Sequence, residues 1–137
     1  MTKATVKNNI KYNENLVRSY QRSISEKKTQ VSELTRLKGK ITSYKSEFIR
    51  RERSRKNKVS AMSGKISLNI FKIYSWGINA IFTGFQYLQA INGLDTASHE
   101  VQKRINSING EINSLEGKLK YRRNRVTYWK NQLRYAT

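Results

Sequence analysis

The stretch VQKRINSINGEINSLEGKLKYRRNRVTYWKNQL, residues 101–133, decides the fold. Apolar side chains recur at Val101, Ile105, Ile108, Ile112, Leu115, Leu119, Val126, Trp129 and Leu133. The steps alternate between four and three, and Arg122 takes the one slot where an apolar residue is due. A seam of that period, kept up for more than four heptads, marks a helix that packs in a coiled coil. So narrow a stripe leaves an isolated helix marginal in water, and the helix needs a partner.

The partner lies upstream. From Leu16 a second stripe runs through Val17, Tyr20, Ile24, Val31, Leu34, Leu37, Ile41, Tyr44 and Phe48, with Lys27 in its gap. Two steps of three at Val31, Leu34 and Leu37 overwind the seam locally. Gly39 inside this helix costs about 1 kcal/mol relative to Ala. Residues 1–9 are polar and are expected to fray. The stripes fit each other antiparallel when the numbers of facing residues add up to about 149. Val17 then faces Leu133, Tyr20 faces Trp129, Phe48 faces Val101, and the two gaps coincide, Lys27 on Arg122.

The fold class expected is all-α: a long antiparallel helical hairpin, a coiled coil with an apolar helical head. Residues 1–137 form one helical domain, with a first arm at 10–58, a head with the turn at 59–94 and a second arm at 95–134. Arms of roughly 30 residues would each span about 45 Å. The centre of symmetry favours a turn at Ser75, Trp76 and Gly77; residues 60–64, with a serine and Gly64, are the rival. Asn92 and Gly93 are expected to break or kink the second helix, with Asp95 or Thr96 as a new cap.

Composition narrows the partners. The chain has 28 Lys plus Arg against 9 Asp plus Glu, a net charge of +19, which favours nucleic acid, a membrane surface of anionic lipid or an acidic protein. It has no Pro, which permits long helices, and no Cys, which removes disulfides and thiolate metal sites and fits a cytoplasmic start. The first residues carry no apolar signal segment. Residues 73–94 carry no charge and have the length of a membrane span. Their amides Asn79, Gln86, Gln89 and Asn92 speak instead for a packed head or a docking surface.

Catalytic chemistry is poorly represented. His99 is the one histidine, and there is no metal-binding or phosphate-binding motif. The reading is a protein that is not an enzyme, with no catalytic residues, cofactor or metal. The acids are scattered and serve as local partners of the surrounding cations. Basic residues concentrate at 50–58 and again at Lys118, Lys120, Arg122, Arg123 and Arg125. In the proposed register the second group lies beside Lys27 and Lys28 as a positive girdle. Either those side chains reach outward into water, or an acidic group of a partner enters the layer. Tyr121, Tyr128, Trp129 and Tyr135 lie among the cations, but no RNA-binding signature accompanies them.

The plan resembles the small helical proteins of the WXG superfamily, in particular the longer accessory members that accompany LXG toxins. The resemblance rests on VSELTRLK at 31–38 with ITSYKSEF at 41–48, and on FQYLQAI at 85–91 with VQKRINSINGEINSL at 101–115. It covers about three quarters of the chain. It implies an antiparallel hairpin that binds the helical N-terminal domain of a toxin, as a targeting or chaperone partner for type VII secretion in Gram-positive bacteria. The chain departs from the pattern at the turn, where Trp76 and Gly77 are adjacent, and it lacks a Tyr-x-x-x-Asp/Glu export signal.

Three functions follow as expectations. The first is a helical adaptor whose apolar head (Trp76, Ile78, Phe82, Phe85) and cations (Lys27, Arg122, Arg123, Arg125) dock on an acidic helical protein, an LXG-like toxin. It would act in the cytoplasm or leave the cell with its partner. The second is a nucleic-acid-associated structural protein of a virion or nucleoid. The third is a membrane-active protein that inserts residues 73–94. The same stripes would also allow a homodimer.

Overall fold

A computed structural model describes residues 1–61 and 84–136, and the protein is all-α. Helix α1 runs over Lys3–Ala61 and helix α2 over Phe85–Leu133; no strand occurs among the described residues. The chain divides into two compact units, Met1–Leu34 with Arg104–Thr137, and Thr35–Lys103.

In the first unit α1 and α2 pack antiparallel, since Glu14 meets Lys130 and Lys27 meets Glu111. The core is the seam expected from the spacing. Ile24, Ile108, Ile112 and Leu119 are buried in one cluster, flanked by Val17, Tyr20, Val31, Leu34 and Leu115. Ile108 is 1% exposed. In the second unit the two helices are again antiparallel. Lys38 donates to Gln102 at 2.7 Å, Lys45 pairs with Asp95 at 2.6 Å, and Phe48 stacks on Tyr87 with ring centroids 5.5 Å apart.

The register differs from the expected one. The numbers of Lys27 and Glu111 add to 138, and those of Lys45 and Asp95 to 140, against the expected value of about 149. Two periodic stripes match again after a slide of about three helical turns, so the apolar pattern alone does not select between these registers. Polar partners do. In the observed register Lys27 finds a carboxylate, whereas the expected one set it against Arg122 with no anion between.

Three further expectations are corrected. The N-terminus does not fray. Thr2 caps α1, its Oγ1 accepting from the Thr5 backbone N–H at 3.3 Å, and Val6 is 1% exposed. Val6, Asn13 and Tyr20 are spaced by seven, so the seam starts a heptad or more before Leu16. Asn92 and Gly93 do not break α2, which runs continuously through them. Asp95 caps nothing; it pairs with Lys45. Lastly, Leu37 and Tyr44 stand 45% and 61% exposed although they occupy stripe positions. Of the two turn candidates, Ser60 and Ala61 belong to α1. The remainder of that rival, 62–64, and the favoured turn at 75–77 lie outside the described residues.

Candidate partner-binding site

Three polar residues interrupt the seam of the first unit, Asn13 and Lys27 on α1 and Arg122 on α2, and the fold brings Asn13 and Arg122 together. Asn13 is 4% exposed, and its Nδ2 donates to the Asn9 carbonyl at 2.8 Å, which fixes the amide. Its Oδ1 then accepts from Arg122 Nη1 at 3.2 Å. The Arg122 guanidinium carbon also lies 5.7 Å from the centroid of the Tyr12 ring and 5.2 Å from that of Tyr121. A buried amide in a coiled-coil seam commonly sets register, and here it also holds a cation in place.

One turn further along α2, the Arg125 guanidinium lies 4.6 Å from the Tyr128 centroid and 5.3 Å from that of Trp129. Those two rings meet edge to face at 5.1 Å and 76°. Residues three apart share a helix face, so Arg122 and Arg125 present two guanidinium groups one turn apart. Arg123 is exposed and lines a shallow groove with Glu14, Val17, Arg18, Val126 and Thr127. Arg, Tyr and Trp are the side chains that most often dominate protein interfaces, and Tyr12, Tyr121 and Tyr128 are all about half exposed.

Lys27 does not join this cluster. It forms an ion pair with Glu111 at 2.9 Å, and Lys28 lies 3.9 Å from Glu116. The hydrogen bond from Lys27 and its positive charge hold the Glu111 carboxyl below its ordinary value, with Arg104 adding to the effect and partial burial opposing it. The expected girdle of Lys27, Lys28 and Arg122 is thus replaced by two neutralised lysines and a separate arginine–aromatic cluster.

The basic run at 50–58 lies on α1 and is partly compensated within the helix. Glu47 pairs with Arg51 at 2.9 Å and lies 3.9 Å from Arg50, and the buried Glu52 pairs with Arg55 at 3.1 Å. Phe85 opens α2, while Trp76, Ile78 and Phe82 lie outside the described residues. His99 is exposed on α2, and among the described residues no group of His, Cys, Asp and Glu is placed to hold a metal ion. No helix among them is long and apolar enough to cross a membrane.

Tyr12 and Asn13 are the members of this cluster that sequence reasoning missed. The signal was the heptad spacing of Val6, Asn13 and Tyr20, which places a polar residue in the seam. Compared with known proteins, the chain matches no family model, no curated protein and no solved structure.

Proposed function

We propose that this protein is a non-enzymatic helical adaptor that docks on a larger, acidic helical protein. The observation that carries the reading is the face of α2 with Arg122 and Arg125 set among half-exposed aromatic rings. Nine acids cannot neutralise 28 cations, so the surface retains a large excess of positive charge. That excess steers an acidic partner toward the protein, and the aromatic residues supply contact area once it arrives. A long pair of helices offers such a partner an edge along which a further helix packs. The resemblance to LXG accessory proteins makes a toxin exported by type VII secretion the candidate partner, met in the cytoplasm and carrying the export signal.

The nucleic-acid reading draws on the charge excess alone. The membrane reading concerns residues 73–94, half of which (73–83) lie outside the described residues. Affinity purification of the tagged protein from its native cell, at low and high salt, separates the three. A stoichiometric acidic helical protein with little nucleic acid is the expected result. Nucleic acid released only at high salt, with no protein partner, would overturn the proposal.

A further inference from the structure

We infer that Arg122 is a preorganised carboxylate fork, positioned by Asn13, and that with Arg125 it reads acidic side chains one turn apart on a partner helix. The inference rests on the reading that the partner is an acidic helical protein. A guanidinium has five N–H donors in a fixed plane, and Asn13 takes one of them. Among the described residues Arg122 makes no further hydrogen bond, and the residue is partly exposed, so donors remain for a ligand. The Tyr12 and Tyr121 rings lie against the guanidinium, and Asn13 is itself tied to Asn9. The group is therefore held in one orientation before a ligand arrives, which lowers the entropy lost on binding. A carboxylate matches the free edge with two parallel hydrogen bonds.

Arg125 lies three residues on, over Tyr128 and Trp129, and shares the ring contacts though not the amide. Two guanidinium groups at that spacing match Asp or Glu side chains three or four apart on a facing helix. On Tyr121 and Tyr128 an arginine already covers one ring face, which leaves fewer stacking surfaces for the bases of a single-stranded nucleic acid. Lys27 has no comparable role, since Glu111 occupies it.

The test is fluorescence anisotropy of the full chain at low salt. The probes are a helical peptide with glutamates three and four apart, its glutamine twin, and a mixed-sequence single-stranded oligonucleotide. The protein is expected to bind the glutamate peptide and not the twin. Arg122→Lys keeps the charge and loses the planar fork, so affinity should fall roughly tenfold. Asn13→Leu should weaken binding in the same direction with helix content unchanged by circular dichroism. Lys120→Gln, which removes an exposed charge nearby, should change little. Equal binding by Arg122→Lys and the unaltered chain, or an equal loss in Lys120→Gln, overturns the fork and leaves the acidic-partner reading standing. Failure of the unaltered chain to prefer the glutamate peptide overturns both. An oligonucleotide that displaces the peptide and depends on Arg122 assigns the fork to phosphate and also overturns the inference. Should Asn13→Leu fail to fold, the Arg122→Lys comparison decides alone.

Discussion

At Glu111, one lysine governs the chemistry of one carboxylate. Lys27 holds that carboxyl below its ordinary value, first by a hydrogen bond and then by charge. A group whose folded pKa is depressed stabilises the fold above its unfolded pKa, and that contribution disappears as pH falls through the lowered folded value. The stabilisation from this pair is therefore complete at neutral pH and lost in acid, below the usual carboxylate range. Carboxyl chemical shifts followed by NMR should show Glu111 titrating below the ordinary glutamate value, and Lys27→Gln should bring its midpoint back up. A midpoint for Glu111 unchanged by Lys27→Gln would refute the assignment. Ile108 is the apolar counterpart. It is almost wholly enclosed, so Ile108→Ala should cost about 2–5 kcal/mol in urea unfolding, where a loss under about 1 kcal/mol would mean the seam is looser than described.

Within the elements, the long helices carry four described glycines, at positions 39, 93, 110 and 117, and a methyl group at any of them would meet no atom within 4 Å. None has a positive backbone φ. Gly110→Ala and Gly117→Ala should each stabilise the protein by about 0.5–1 kcal/mol, because Gly loses more backbone freedom than Ala on entering a helix. Thermal melts of both variants check this, and destabilisation would mean that the space around these positions is tighter than described. The elements were largely legible in the sequence. Period and polarity gave two helices, their antiparallel sense and most of their buried faces. The register was not legible, because a periodic apolar pattern repeats under sliding. What selects it is a handful of polar pairs, Asn13 with Arg122, Lys27 with Glu111 and Lys45 with Asp95. Each involves a residue that reads from sequence as a defect or a solvated charge.

For the whole molecule, charge dominates. Cations outnumber acids three to one, although seven of the nine acids lie within ion-pair distance of a cation. Self-repulsion among the remaining charges destabilises the folded state, and added salt screens it. The melting temperature should therefore rise with sodium chloride between low and physiological ionic strength. A fall would mean that the exposed ion pairs outweigh the repulsion. The candidate site was legible only in part. The sequence marked Arg122, Arg123 and Arg125 as a concentration of charge, but the residue that fixes Arg122 in place lies 109 positions earlier in the chain.

That separation sets a timetable for synthesis. Asn13 leaves the ribosome long before Arg122 exists. At about 5–20 residues per second, the interval is on the order of 5–20 s. Throughout it the buried face of α1, with Val6, Asn13 and Ile24, has no α2 to lie against. A nascent helix with an open seam is a substrate for proteases and for the seams of neighbouring chains. For this protein the hazard of being made lasts as long as that open seam does, and ends only when residues 105–122 arrive to close it.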